Sequence, residues 1–450
     1  MSKAKYLPLF ITNHTFQFVN GPRDFISNVS LRLLGRSIAP SATSAPRFPE
    51  SLFRVPIVES ERCAFNGRVL HVLTNSLPHS KGGYAFRSHH ILQAQENAGV
   101  SAFAITRLGY PISVGQFPEG NVEVVDGVKY LRSLPAYFPF SVERQIEAQA
   151  ESIYREAQRL GVSVLHVTTP WINAAAASIA ARKLQIPWIY EVRGEPEGTW
   201  VASQPATSNP KLTEYYLKSR RKEEEAMHSA AAVVVLSEVS KSVLKQRGVE
   251  RPIVIAPNAV DREWKASKMP KEEARVSLGL PPRRYVGAVS SLVDYEGFDD
   301  LIKALHHLPK DIAALLVGDG KAASFLKNLA VSEGLADRVV FAGHQPRSDL
   351  SRWYSVLDVF AMPRKDYEVT RSVTPMKSLQ AQAFGIPIVA SDLPALREVT
   401  RGEASYVVPG DPANLAEAIR TALEESDPEP TGLPSWDEVA TTYLRLYGGL

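Results

Sequence analysis

The stretch Pro363–Asp392, PRKDYEVTRSVTPMKSLQAQAFGIPIVASD, combines a loop, a short helix and a buried strand. Thr374 is predicted to cap the helix, and Pro375 suits its first position. Lys377 then lies in the first turn, where free backbone N–H groups and the helix dipole favour an anion. Gly385 ends the helix before the strand. The alternative is an ordinary buried helix entering a parallel strand, with Lys377 merely solvated.

The second half of the chain repeats this alternation of apolar strand and helix. The predicted strands are YVGAVSS, AALLVGD, RVVFAG, DVFAMP, PIVASD and ASYVVP. The predicted helices are GFDDLIKALHHL, KAASFLKNLAVSEG, SDLSRWYSVL and PMKSLQAQAF. Such alternation predicts a parallel sheet covered by helices. Gly318, Gly320 and Gly343 follow strands, at the sheet edge where ligands usually bind.

The first half shows the same alternation from Arg68 onward. Its predicted strands are RVLHVL, SAFAIT, SVLHVT, IPWIYEV and AAVVVLS, separated by helices such as AFRSHHILQAQENAG, INAAAASIAARKLQ and LKSRRKEEEAMHSA. Gly82 and Gly83 precede the first helix, and their missing Cβ atoms would let backbone N–H groups approach a phosphate. A tight turn without any ligand is the alternative interpretation. The G-x-G-x-x-G fingerprint of nicotinamide and flavin enzymes is absent here.

Length and composition predict a two-domain globular protein without a nucleic-acid role. The 450 residues are 44% hydrophobic and 22% charged, and 51 basic residues nearly balance 48 acidic ones. Cys63 is the single cysteine, so an intrachain disulfide and a Cys-rich metal site are excluded, and we expect a cytoplasmic protein. No apolar run approaches the ~20 residues that span a bilayer. We expect an extension at 1–62, domains at 63–255 and 256–430, and a helix at 431–450.

The extension contains the segment Pro22–Arg36, PRDFISNVSLRLLGR, which is predicted to form one amphipathic helix followed by a linker. Its apolar side is flanked by arginines, a combination that suits the surface of an anionic membrane. We therefore expect either packing on the body of the protein or peripheral contact with the inner membrane face.

Over roughly residues 68 to 450 the chain resembles the family-four glycosyltransferases of the GT-B fold. The second half carries VGDG, RVVFAG, DVFAMPR, VTPMKSLQAQAFGIPIVAS and LREV in the order which that family uses. The first half carries PHSKGGYAFRSHHILQAQENAG, TRLGYP, VDGVKYLR, VLHVTTPWIN and IPWIYEVRG, similar to a bacterial branch that assembles cell-surface polysaccharides. The resemblance implies an α/β fold of two Rossmann-like domains facing across a cleft, with a C-terminal helix packing back on the body.

The resemblance also implies where substrates bind. A nucleotide-sugar donor would bind mainly to the second domain without a metal, its diphosphate neutralised by helix N-termini and basic side chains. The implied donor-binding residues are Gly82, Gly83, Phe341, Gly343, Arg364, Lys377 and Gln380. The implied acceptor or sugar contacts are Arg87, Arg193 and Thr168. For the two arginines, buried salt bridges to Glu191 or Glu195 are an equally good interpretation.

The sequence departs from the family pattern at several positions. Of two usual glutamates, the later aligns with Gln380 and the earlier falls in the Arg371–Ser372 region. The Arg and Lys that usually precede the first helix of the donor domain are absent, with Ser291 and Glu296 near those positions. A carboxylate near the donor sugar is therefore not evident, although Gln380 can still hydrogen-bond to a ribose.

A further departure lies in the first half, where the second histidine of a usual H-x-H pair aligns with Thr168. The remaining His166 is expected to point into the sheet rather than at substrate.

These features predict a retaining glycosyltransferase that moves a sugar from a nucleotide donor to a glycan or lipid-linked acceptor during surface-polysaccharide synthesis. The departing diphosphate can accept the acceptor's proton in that mechanism, so no catalytic base is assigned and no cofactor is expected. The alternative is a catalytically idle module of the same fold that binds a nucleotide, a glycan or a partner enzyme. A nicotinamide-dependent dehydrogenase ranks third, because its fingerprint is missing.

Overall fold

The computed structural model describes residues 3–20, 64–204, 209–260, 268–425, 427–429 and 432–450. These residues form two compact units. The first comprises the described residues up to Leu236, together with Lys241–Pro257 and Trp436–Leu450, and the second comprises Ser237–Ser240 and Asn258–Ser435. The expected amphipathic helix over Pro22–Arg36 lies outside the described residues.

The first unit is built on one eight-stranded sheet. Its strands are β1 (Arg68–Leu73), β2 (Ser101–Thr106), β3 (Val122–Val125), β4 (Val128–Leu131), β5 (Val164–Thr168), β6 (Trp188–Glu191), β7 (Ala232–Val235) and β8 (Ile253–Ile255). They lie in the order β3-β4-β2-β1-β5-β6-β7-β8, and only the β3–β4 pair is antiparallel. The chain leaves β1 toward β2 and later returns to the other side of β1 as β5. The topological switch point, where ligands bind in such sheets, therefore lies between β1 and β5.

Helices cover this sheet. They are α1 (Leu7–Asn20), α2 (Gly83–Asn97), α3 (Val142–Leu160), α4 (Trp171–Leu184), α5 (Pro196–Ala202), α6 (Glu214–Ser229) and α7 (Glu238–Gln246), of which the last begins in the second unit. The core between sheet and helices is aliphatic, and the Ala-rich run of α4 is buried along its length. Because alanine side chains are short, α4 and its neighbours can approach closely.

The second unit contains a six-stranded, fully parallel sheet. Its strands are β9 (Arg284–Val289), β10 (Ile312–Val317), β11 (Val339–Gly343), β12 (Val359–Met362), β13 (Ile388–Ser391) and β14 (Ser405–Val407). Its helices are α8 (Lys271–Ser277), α9 (Phe298–Ala304), α10 (Ala323–Ser332), α11 (Leu350–Val356), α12 (Glu368–Ser372), α13 (Met376–Ala383), α14 (Pro394–Val399) and α15 (Pro412–Glu424). The strand order β11-β10-β9-β12-β13-β14 places the switch point between β9 and β12.

The C-terminal helix α16 (Trp436–Gly448) belongs to the first unit. Its Trp436 ring stacks on His90 of α2 with 5.4 Å between ring centroids. The prediction of two parallel-sheet α/β domains with a C-terminal helix packed on the body is thus confirmed. In the described part of the chain, no helix is both long enough and apolar enough to cross a membrane.

Two features of the first unit were not predicted. Helix α1 belongs to the domain body, because its Leu9 and the preceding Tyr6 pack against Leu108, Ile112 and Phe138. The β3–β4 hairpin turns at Asp126-Gly127, where φ is 45° and 83°. Both values are positive, as a two-residue hairpin turn of type I′ requires.

Candidate active site

Helix α13 begins one residue later than predicted. Its N-cap is Pro375, which offers no side-chain cap, whereas the hydroxyl of Thr374 is buried without a hydrogen-bond partner. The prediction that Thr374 caps the helix is therefore wrong, because its hydroxyl does not reach the first-turn N–H groups. The helix ends as predicted, before Gly385 at φ 61°. Lys377 does lie in the first turn, as the second helical residue.

Lys377 takes part in a compact ionic cluster. Its Nζ donates to the Glu296 carboxylate and, over 2.7 Å, to Ser290 Oγ. Arg364 donates to the same carboxylate from Nε at 3.2 Å and from Nη2 at 3.0 Å, and its Nη1 donates to the carbonyl of Val373 at 3.0 Å. All three charged side chains are at least 89% buried, since their exposed fractions are 11% for Lys377, 8% for Arg364 and 6% for Glu296. Two cations thus share one carboxylate and leave a net positive charge.

The topology of the second sheet explains why these residues meet. Ser290 and Glu296 follow β9, and Arg364 follows β12, so both connections leave the carboxyl edge at the switch point. Gly297 has φ 72°, and a Cβ at this position would collide with the carbonyl oxygen of Pro363. Because glycine permits this backbone contact, Glu296 is held beside Arg364.

The pKa values of the cluster follow from burial and charge. Burial alone would raise the pKa of Glu296, but Arg364 and Lys377 lower it to about 2. Burial lowers the pKa of Lys377 to about 8, with Arg364 acting in the same direction and Glu296 opposing. At neutral pH, Glu296 is therefore ionised and most Lys377 is protonated.

The other predicted donor residues lie elsewhere in the second unit. Gln380 is half-buried, and its Oε1 accepts a 2.8 Å hydrogen bond from the buried Tyr354 hydroxyl. Phe341 lies on β11, with the Lys327 ammonium 5.7 Å from its ring centroid. Gly343 ends β11 with φ 70° and open space where a Cβ would lie. The structure brings Lys377 and Arg364 into one cluster but shows no contact of Gln380, Phe341 or Gly343 with it in the described residues.

The glycine pair lies at the start of α2, as predicted. Gly82 is the N-cap, with φ −81° and ψ 164°, and Gly83 is the first helical residue. A Cβ on Gly82 would meet no atom within 4 Å, so packing does not require glycine there. Tyr84 follows as an exposed residue, and its hydroxyl donates to the carbonyl of Arg193 at 3.0 Å.

Arg87 and Arg193 form the buried salt bridges that were the alternative interpretation. Arg87 is completely buried, and its Nε and Nη2 donate to Glu191 Oε1 at 2.9 and 2.7 Å. It also donates to the carbonyls of Ala256 and Pro257. Arg193 donates to Glu191 Oε2 at 2.8 and 2.6 Å. Burial would raise the pKa of Glu191, but the two arginines lower it well below its usual range. Arg87 is structural in this arrangement, because its guanidinium has no exposed surface.

The histidine prediction is confirmed, and Thr168 is also internal. His166 lies inside the sheet, 3.0 Å from Glu191 through Nε2 and 2.6 Å from the Tyr447 hydroxyl of α16 through Nδ1. The Thr168 hydroxyl is buried and donates to the carbonyl of Val72 at 3.1 Å. In this conformation the hydroxyl of Thr168 uses its single donor within the sheet.

The residue that sequence analysis missed as a site member is Glu296. The one indication of it in the sequence was that an acidic residue stands near a position where the family usually carries a basic one. That position follows β9, in the same domain as Lys377. Among the described residues, no three His, Cys, Asp or Glu side chains lie together as a metal site would need.

Two family models match the two units separately. Residues 82–259 match "Glycosyl transferase 4-like domain", and residues 283–425 match "Glycosyl transferases group 1". The chain belongs to the glycosyltransferases. The ionic cluster of Glu296, Arg364 and Lys377 lies wholly within the second matched region.

Curated relatives of the chain are also named as glycosyltransferases. The chain is 27% identical over 267 residues to 2-deoxystreptamine glucosyltransferase of Streptomyces kanamyceticus. The matched region covers 57% of this chain and 65% of the relative. It is 30% identical over 191 residues to the lipopolysaccharide core biosynthesis mannosyltransferase LpsB of Rhizobium meliloti, covering 40% and 52%. The chain thus spans less than two thirds of the length of either relative.

Solved structures show the fold. Sucrose-phosphate synthase from Thermosynechococcus elongatus superposes with a TM-score of 0.67 at 20% identity, covering 84% of this chain and 98% of that one. Anabaena HepE, solved in complex with UDP, superposes with a TM-score of 0.60 at 17% identity, covering 85% and 95%. The glycosyltransferase therefore has the GT-B fold.

Proposed function

We propose that this glycosyltransferase moves a sugar, with retention of anomeric configuration, from a nucleoside-diphosphate donor to a glycan or lipid-linked acceptor in surface-polysaccharide synthesis. The observation that carries the proposal is the ionic cluster of Lys377, Arg364 and Glu296 at the switch point of the second sheet. Its net positive charge lies where parallel sheets bind ligands, in a region that matches a glycosyltransferase family.

The cluster supplies the charge stabilisation that the reaction needs. As the bond between the anomeric carbon and the diphosphate breaks, negative charge accumulates on the leaving diphosphate. Lys377 adjoins the free N–H groups of α13 and can turn from Ser290 to an incoming phosphate oxygen while Glu296 stays paired with Arg364. We propose that these cations act in place of a divalent ion, so EDTA should leave the activity intact.

The proton transfer needs no base from the chain. In the proposed step the acceptor oxygen bonds to the anomeric carbon on the face from which the diphosphate departs. The acceptor proton moves to the departing diphosphate oxygen, so the charges balance within the two substrates. The role left to the protein is positioning and stabilisation of the leaving group.

The relatives suggest which substrates to test first. HepE was solved with UDP and, in another complex, with UDP-glucose, and LpsB is named for lipopolysaccharide core synthesis. Uridine donors and bacterial surface-glycan acceptors are therefore the first choice. We do not favour the catalytically idle alternative, because these relatives are named as transferases or sugar-nucleotide complexes.

The test is a panel of UDP-, GDP- and ADP-sugars with oligosaccharide and lipid-linked acceptors. We expect one donor to release nucleoside diphosphate in proportion to glycosylated product, detected by mass spectrometry, with and without EDTA. Absence of both saturable nucleotide binding and release would refute the proposal. Nucleotide binding with release no faster than buffer would support the idle module instead.

We further propose a cytoplasmic location with docking on the inner membrane face through Pro22–Arg36, a segment outside the described residues. Co-sedimentation with anionic liposomes should fall when residues 22–36 alone are deleted, a deletion that leaves helix α1 in place. Unchanged co-sedimentation would remove the case for this segment.

A further inference from the structure

The first unit contains a polar cavity of about 230 Å³ that takes no part in the donor cluster. It opens at the carboxyl edge of the first sheet, since Thr74 follows β1, Arg107 follows β2 and Asn173 lies just after β5. These strands are adjacent, and the switch point lies between β1 and β5. Helix α1 closes one side through Asn13.

The walls of this cavity, called here the Arg107 pocket, are rich in groups that bind oxygen atoms. Its polar lining residues include Asn13, Thr74, Arg107, Gln145, Gln149 and Asn173. Several of them are fixed by mutual hydrogen bonds. Gln149 Nε2 donates to Asn173 Oδ1 at 3.3 Å, and Asn173 Nδ2 donates to Thr74 Oγ1 at 2.8 Å. Such a network holds polar groups in place before a ligand arrives.

Arg107, a half-buried side chain whose Nε is buried, differs from the fully buried arginines of this unit. Arg87, Arg132 and Arg193 each pair with a glutamate at 2.7 Å or less. Arg107 has no ion pair in the described part of the chain, and no acidic residue lines the pocket there. The Tyr110 ring lies beside it, with the guanidinium 5.9 Å from the ring centroid. Burial therefore lowers the pKa of Arg107, and Tyr110 offsets this only in part.

Two hydrogen-bond donors in the pocket wall are left without partners. Arg107 Nε and Asn13 Nδ2 are both buried and donate no hydrogen bond within the described residues. Asn13 is only 2% exposed, so bulk water does not satisfy it. Buried donors are nearly always paired in native proteins, and an unpaired cation is costlier still. A ligand that brings several acceptor atoms and a negative charge would satisfy both.

We propose that the Arg107 pocket binds an oxyanion, a carboxylate or phosphate carried on a sugar ring, as the charged part of the acceptor. This inference rests on the proposed function, because the nucleotide donor is assigned to the second unit and the acceptor needs a separate site. The volume is below the ~300–1,000 Å³ of pockets for drug-sized ligands, so it suits one charged sugar rather than a whole glycan. Guanidinium suits this task because its planar donors match carboxylate and phosphate oxygens in pairs.

The experiment is a calorimetric titration of the full chain with D-glucuronate, glucose 6-phosphate and neutral glucose, each with and without saturating UDP. We expect at least one charged sugar to bind roughly tenfold or more tightly than glucose, as expected for a charge-assisted bidentate contact. Arg107→Gln should abolish this preference, Arg107→Lys should retain part of it, and Asn13→Ala should weaken the charged sugar several-fold. Circular dichroism and melting curves check that each variant folds.

Matched controls keep the outcome interpretable. Arg155→Gln removes an equal charge from the same unit at a side chain that is 71% exposed, and should leave every affinity unchanged. Free phosphate and acetate distinguish a sugar site from a bare anion site, and tighter binding of the free ions than of the sugars would overturn the sugar assignment. Equal affinity for charged and neutral sugars, or a preference that survives Arg107→Gln, would overturn the pocket while leaving UDP binding intact. Absence of binding of UDP, GDP and ADP alike to the unaltered chain would instead overturn the proposed function, whatever the charged sugars do.

Discussion

Lys377→Gln is the substitution that most directly tests the donor site. Glutamine keeps most of the length of the side chain but removes the ammonium that contacts Glu296 and Ser290. Glu296 would still accept two hydrogen bonds from Arg364, at 3.0 and 3.2 Å. The buried carboxylate therefore keeps a charge partner, and the loss of stability should be smaller than when a buried ion pair is broken completely.

The magnitudes separate the two roles of Lys377. Leaving a buried charge entirely unpaired costs about 3–5 kcal/mol, so a carboxylate that keeps Arg364 should lose only about 1–2 kcal/mol of unfolding free energy. Loss of one charge-assisted hydrogen bond to a diphosphate costs about 1.5–3 kcal/mol, or roughly a 10- to 150-fold weaker affinity. A lysine that only stabilises the fold would show the first effect without the second.

The assay is calorimetric binding of UDP, GDP and ADP to the parent and variant, with melting curves recorded in parallel. Because the pKa of Lys377 is about 8, parent affinity should fall as pH rises from 7 to 9 and the ammonium loses its proton. The Lys377→Gln profile should be flat over this range.

Lys271→Gln is the matched control. Lys271 also forms ion pairs, with Asp358 and Asp427, and is 26% exposed, but Asp358 lies at the amino end of β12, the opposite edge of the sheet. Its replacement should leave nucleotide affinity within about twofold, well under one charge-assisted contact. If Lys377→Gln binds nucleoside diphosphate as the parent does, Lys377 is not a donor ligand and the reasoning is refuted.

Other predictions concern stability. Glu296 has a pKa of about 2 when folded against 4.5 ordinarily, so the stability that it adds is full above about pH 4.5 and is lost as the pH falls toward 2. The free energy of unfolding in urea should therefore fall between pH 7 and pH 3 by about 2 kcal/mol more in the parent than in Glu296→Gln, and an equal fall in both would contradict the ion pairing. Gly297→Ala should lower the melting temperature and the free energy of unfolding, the latter by more than about 1 kcal/mol, because its Cβ would collide with the Pro363 carbonyl. Gly82→Ala should be nearly neutral, because Gly82 has a negative φ and open space around it, and equal melting temperatures of the two variants would contradict this reason. Tyr447→Phe should cost about 1–3 kcal/mol in chemical denaturation because it leaves the buried His166 Nδ1 unpaired, and an unchanged midpoint would contradict this role.

Strand positions were predictable from sequence because each buried parallel strand forms a continuous apolar run. RVLHVL and SAFAIT coincide with β1 and β2, and the strands of the second sheet differ from prediction by only one or two residues at each end. The β3–β4 hairpin was missed because its exposed strands alternate weakly and Val122 and Val124 face solvent. Helix α1 was missed because its apolar face is recognisable only once Leu108, Ile112 and Phe138 are in place.

The candidate site was predictable in its cations and not in its carboxylate. Lys377 and Arg364 were found because they flank a helix start and a strand end. Their partner Glu296 precedes Lys377 by 81 positions, and only the order of β9 and β12 brings the two connections together. The start of α13 was misplaced because Thr374 has the right residue type for a cap but a buried, differently directed hydroxyl.

The function of an arginine in the first unit depends on whether a carboxylate lies beside it. Arg87 lies in α2 only four residues after Gly83, close to the predicted phosphate site, yet Glu191, 104 residues further along the chain, pairs with it. Arg107 carries no such motif, but no acid reaches its pocket in the described chain. Since pairing of this kind is decided by strand order rather than by local sequence, the ligand-binding arginine is the one whose charge the fold leaves uncompensated. Introducing the missing acid tests this directly: Asn13→Asp places a carboxylate in the wall of the Arg107 pocket and should remove charged-sugar binding as Arg107→Gln does, without removing the arginine.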